Sequence, residues 1–90
     1  MAAPEFAFTL TLSGHVHDRE MLTDVLRAVL SQAGYAGDTL ERLVKQVSVV
    51  REASPAAPCD VRFQARGGEL QIVVSQAGRE WRTTCPLLIH

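Results

Sequence analysis

Two glycine-bearing turns, Gly67-Gly68 and Ala77-Gly78, lie between strand-like runs and fix how residues 59 to 85 can pair. A two-residue loop containing glycine is the usual connection of a β-hairpin. With Arg66 facing Glu69 across the first turn, Ala65 faces Leu70, Phe63 faces Ile72 and Val61 faces Val74. With Gln76 facing Arg79 across the second, Val74 faces Trp81, Ile72 faces Thr83 and Leu70 faces Cys85. One face then carries the rows Val61–Val74–Trp81, Phe63–Ile72–Thr83 and Ala65–Leu70–Cys85. The other carries Arg62–Val73–Arg82 and Gln64–Gln71–Thr84. A single register satisfies both turns and separates apolar from polar, as a half-buried antiparallel sheet requires.

The preceding residues supply one more strand and two helices. Phe6, Phe8, Leu10 and Leu12 alternate with Ala7, Thr9, Thr11 and Ser13, which predicts a strand over 5–13. Met21, Leu22, Val25, Leu26, Val29, Leu30 and Ala33 form one wide apolar stripe on a helix over 18–33. Asp18 is its expected N-cap and Gly34 its stop. A second helix over 38–52 follows from Leu40, Leu43, Val44 and Val47, with Asp38 and Glu41 at the spacing of a capping box. The β-branched run Val47-Ser48-Val49-Val50 leaves open whether residues 47–52 finish that helix or turn extended. The Pro/Ala stretch 54–58 is a loop, and strands over 60–66, 69–76 and 79–85 complete a β-α-α-β-β-β order. Four strands with one apolar face and two amphipathic helices predict a two-layer α+β sandwich, a mostly antiparallel sheet with both helices on one side.

Composition bounds the rest. Ninety residues, 47% hydrophobic and 21% charged, make one small domain whose core is modest and gains from a partner. A formal net charge of -1 gives nucleic acid no electrostatic attraction. No apolar run approaches the roughly 20 residues a bilayer demands. The N-terminus lacks a basic region before an apolar stretch, so a cytoplasmic location is expected. Cys59 and Cys85 fall at opposite ends of the predicted sheet, roughly 20 Å apart, too far for a disulfide.

Motifs that carry chemistry are sparse. His15 and His17 form an H-x-H pair, but neither Cys59, Cys85 nor His90 is fixed beside it as the third ligand zinc wants, so no metal is expected. Asp18, Glu20 and Asp24 suit the positive end of a helix. There is no G-x-S-x-G elbow, no phosphate-cradling glycine loop, and no histidine beside either cysteine. Arg62, Arg66, Arg79 and Arg82 project from the hairpins, which raises the alternative of a nucleic-acid module. Phe63 and Trp81 point to the other face, so the stacking platform of RNA-binding sheets is missing.

Taken together, "FTLTLSG", "LTDVLRAVLSQAG", "LERLVKQVSVVREAS" and "LQIVVSQAGREW" resemble the anti-sigma-factor branch of the histidine-kinase-like (GHKL) ATPases, over about residues 6 to 81. The resemblance implies a domain that reads ATP with a glutamate and an asparagine on its second helix and a D-x-G-x-G box between its strands. In this sequence the glutamate position is Val49 and the asparagine position Ala53. The adenine-reading aspartate is Gln76, the first glycine is kept as Gly78, and the second is Glu80. The stretch after Trp81 has no room for an ATP lid and closing strand.

The expectation is therefore a non-enzymatic protein-interaction or regulatory module that keeps the scaffold without nucleotide or other cofactor. The alternatives are an ATP-binding anti-sigma-type kinase or other small enzyme, and a nucleic-acid binder. Arg62, Val73 and Arg82 on the open face and Phe6 and Phe8 on the first strand are the expected partner surface. Phe6 to Leu12 carries no charge and the last strand ends in an apolar "PLLI", so a homodimer or partner complex through a sheet edge, whichever strand is outermost, or through the exposed face is expected.

Overall fold

Both glycine turns adopt the conformation that their spacing demands. In the computed structural model, which describes residues 5–14, 17–54 and 56–88, Gly67 and Gly68 have φ of 61° and 81°. Two consecutive positive φ values give the turn a twist matching that of the strands. Ala77 and Gly78 repeat this at 50° and 73°, which places an alanine in the left-handed region.

The elements are β1 (Phe6–Leu12), α1 (Asp18–Gln32), α2 (Gly37–Glu52), β2 (Cys59–Arg66), β3 (Glu69–Gln76) and β4 (Arg79–Pro86). The fold is the α+β arrangement expected, with an antiparallel sheet ordered β1-β2-β3-β4. Residues 47–52 finish α2. Every hairpin pair read from the sequence is present, and β1 extends the rows to Leu10–Val61–Val74–Trp81, Phe8–Phe63–Ile72–Thr83 and Phe6–Ala65–Leu70–Cys85. Phe63, Val61, Leu70, Ile72 and Val74 are buried against Leu22, Leu26, Leu30, Val44 and Val47 of the helices. Both cysteines are unpaired.

The helix ends depart from the expected caps. Asp18 is the first residue of α1 rather than its N-cap; His17 takes that place without a side-chain bond. The Asp18 carboxylate instead reaches back to accept the Gly14 N–H at 2.7 Å. No capping box forms on α2, whose N-cap is Ala36, and Glu41 pairs with Arg27 of α1. A second bridge, Arg19–Glu52 at 3.0 Å, joins the other end of the antiparallel helix pair. Gly34 does stop α1: at φ 97° it donates to the Ser31 carbonyl while Tyr35 donates to that of Leu30. A Cβ on Gly34 would sit 2.8 Å from that of Leu88, so the glycine also admits the segment after β4.

Candidate binding surfaces

α2 lies over β3 and leaves the inner row of β4 incompletely covered. Trp81 is half-buried there, and Val49 on the helix is 57% exposed. Between them and the β3–β4 turn opens a cleft of about 720 Å³, lined by Val49, Ala53, Gln76, Ala77, Glu80 and Trp81 among others. The four positions at which this sequence departs from the nucleotide-contacting residues of the GHKL resemblance, Val49, Ala53, Gln76 and Glu80, meet in this cleft. Their chemistry is different. Val49 and Ala53 offer no ligand atoms, the Gln76 amide is engaged internally, and the Glu80 carboxylate accepts from Arg82 at 2.7 Å.

Behind the cleft lies a buried polar cluster centred on Arg51, which is 5% exposed. Its Nη1 donates to the carbonyls of Ala57 at 2.6 Å and Ser54 at 3.2 Å, and to Gln76 Oε1 at 3.2 Å. Its Nη2 lies 3.7 Å from Asp18 Oδ2. Gln76 Nε2 in turn donates to the Val50 carbonyl. One guanidinium thus ties the end of α2 to the following loop, the start of α1 and the end of β3. A planar five-donor fork suits that many acceptors, whereas lysine's single ammonium would not. Arg51 belongs to no sequence motif, Asp18 reads as a helix cap, and Gln76 stands at the altered adenine position. Only the apolar setting of Arg51, one turn beyond Val47, hints at burial.

Cys59, beside Gln76 in the register, is buried, and that burial pushes its thiol above the ordinary value, with the Arg51 guanidinium opposing the rise. Tyr35, buried under the end of β4, is pushed up to about 12 by burial and by neighbouring Cys85, and its hydroxyl donates to the Pro86 carbonyl at 2.5 Å.

The five residues expected to form a partner surface do not share one. Arg62 and Arg82 stand exposed on the open face, but Val73 between them is only 2% exposed. It sits on an inner strand, between Arg62 on β2 and Arg82 on β4 in the register, and long charged side chains lay their aliphatic stems over apolar neighbours. Phe6 and Phe8 project to the opposite, helix-bearing side at the β1 edge. Phe8 stacks on Phe63 with centroids 4.9 Å apart and is still 42% exposed. The open face is not basic: Arg62, Arg66 and Arg82 share it with Asp60, Glu69 and Glu80.

Among the described residues no three His, Cys, Asp or Glu side chains converge on a metal-sized site, and no helix is long and apolar enough to cross a membrane. His17 is exposed; His15 and His90 lie outside the described residues. Compared with known proteins, the chain matches no family model and no curated protein.

Proposed function

We propose that the chain is a non-enzymatic protein-interaction or regulatory module that pairs through the free edge of β1. The observation that carries this reading is the edge itself. β1 is outermost, its seven residues are uncharged, and Phe8 within it is 42% exposed. Unpaired N–H and C=O groups with no charge or proline to deter pairing make a template for another strand. A second copy satisfies the edge with closed two-fold symmetry, and the extra burial stabilises a small core.

The resemblance to a GHKL domain supports the same reading, because the four altered positions line one cleft and carry none of the nucleotide-contacting groups. That convergence also motivates the competing reading of an ATP binder. Calorimetry with ATP and Mg²⁺ separates them, and we expect no saturable heat.

Sedimentation across a wide concentration range tests the edge. The native chain is expected to associate, and Thr9→Lys on β1 to weaken association at least tenfold, about 1.4 kcal/mol. Thr84→Lys on β4 is expected to leave it unchanged. A strict monomer at high concentration that also captures no partner overturns the reading.

A further inference from the structure

The flank of α2 that faces β4 combines apolar surface and charge in a way the β1 edge does not. Val49 is the most exposed of the large apolar side chains described. With Val50 and Trp81 it lines a groove of about 590 Å³ bordered by Arg42, Lys45 and Gln46. The same three residues line the cleft beside the β3–β4 turn, so groove and cleft form one continuous trough. Along α2 it follows positions 42, 45, 46, 49 and 53, the spacing of one helical flank. From Arg42 to Ala53 that flank measures about 16 Å, three turns of helix.

The charges bordering the trough are unbalanced. Arg19, Arg27, Arg51 and Arg82 each face a carboxylate. Arg42, Lys45 and Arg79 have no ion pair among the described residues. Glu80, the one carboxylate lining the trough, is held by Arg82 at 2.7 Å. An apolar floor with an uncompensated basic rim complements an occupant that is apolar on one side and acidic on the other. The trough is open along its length, which suits a chain lying in it better than a small molecule, which pockets enclose.

We infer that this trough docks an acidic amphipathic segment of a partner protein. Its large apolar side chains rest on Val49 and Trp81, and its carboxylates face Arg42, Lys45 and Arg79. The inference rests on the interaction-module reading but not on the β1 edge: oligomeric state reads the edge, and Trp81 reads the trough.

Trp81 is the only tryptophan in the chain, so its emission reports occupancy directly. The probe is a three-turn peptide of glutamate and leucine at helical spacing, titrated against the full chain, with a lysine-for-glutamate counterpart as control. Decanoate and ATP–Mg²⁺ serve as small anions. We expect the acidic peptide to shift Trp81 emission to the blue and saturate, with affinity falling as salt rises, and the basic counterpart to do neither. Arg42→Glu with Lys45→Glu should weaken binding about tenfold or more. Val49→Glu should remove it. All three side chains are exposed, so thermal unfolding of the variants should match the parent.

Equal responses to the acidic and basic peptides, unchanged affinity in the variants, or no response at millimolar peptide would each overturn the inference. A saturable response to decanoate or ATP–Mg²⁺ alone would replace it with a small-anion site. Loss of β1 association leaves every one of these outcomes as it stands.

Discussion

The two margins of the sheet solve the same problem in opposite ways. β1 and β4 are both outermost, and both turn alternate side chains toward the helices. β4 carries Arg79, Glu80 and Arg82 in its first half and ends at Pro86. Its exit is consumed internally. The Pro86 carbonyl accepts from Tyr35, while Leu87 and Leu88 donate to the carbonyls of Gly68 and Ala33 at 2.8 and 2.7 Å. β1 has no charge and shows its aromatic pair to solvent at one end. Charge, proline and a folded-back tail are the ordinary means of blocking an edge, and only one margin has them. The difference gives the two proposed contacts different chemistries: backbone pairing at β1 and side-chain docking beside β4.

The largest expected effect comes from the apolar rows that underlie this difference. Phe63 is fully buried beneath Phe8, so Phe63→Ala should cost about 3–5 kcal/mol in urea unfolding. Trp81 is only half-buried, and Trp81→Ala should cost ~1–2 kcal/mol despite the larger ring. Equal costs would mean that the β4 margin is packed as tightly as the interior, and the trough would lose its basis.

Arg51→Met comes next. The guanidinium links α2, Ser54 and Ala57 to Gln76 at the end of β3 and to Asp18 at the start of α1. Removing one member of a buried pair strands the other, which costs about 3 kcal/mol. Chemical-shift changes should spread from Arg51 to Asp18 and Gly14 on one side and to Gln76 on the other. A cost below ~1 kcal/mol would make the cluster a passive contact rather than the tie behind the cleft.

These two substitutions mark where the sequence was legible and where it was not. Phe63 could be placed because glycine turns and two-residue alternation are local, and a one-residue slip would have buried Arg62 and Arg82. The helices were legible for the same reason, as stripes at fixed spacing. Arg51, Asp18 and Gln76 meet only after the chain folds. Little local distinguishes a buried arginine from a surface one beyond an apolar setting such as that of Arg51, and a capping aspartate looks like one that reaches back to Gly14. Val73 was misread because alternation assigns a face but not how well neighbouring stems cover it. The partner surface was half legible: the bare β1 edge is a sequence property, whereas the trough depends on where α2 crosses the sheet.

A smaller effect of opposite sign distinguishes the two hairpins. Ala77 occupies the left-handed region that Gly67 and Gly68 adopt freely in the other turn. Ala77→Gly should therefore stabilise the chain by about 0.5–1 kcal/mol in the same unfolding assay. Destabilisation would show that the Ala77 methyl is needed as packing at the mouth of the cleft.

The smallest effect reads the two margins through their thiols. Cys59 is fully buried on β2 beside Leu12 of β1, while Cys85 is half-buried on β4. Burial raises both thiols above the ordinary value of 9.0. The unfolded chain then loses these protons first, so it binds fewer protons than the folded chain once pH passes that value. Stability is fully present below it and declines as pH rises through the raised folded values. Tyr35, shifted from 10.0 to about 12, extends the decline in the same direction. Denaturation midpoints should hold steady up to about pH 8.5 and fall beyond it; Cys59→Ala should flatten the fall. Native-state alkylation should reach Cys85 well before Cys59, because reactivity follows exposed thiolate and only Cys85 has access without unfolding. Faster labelling of Cys59 would mean that the chain opens on the β1 side first, and the edge offered for pairing would then be frayed rather than bare.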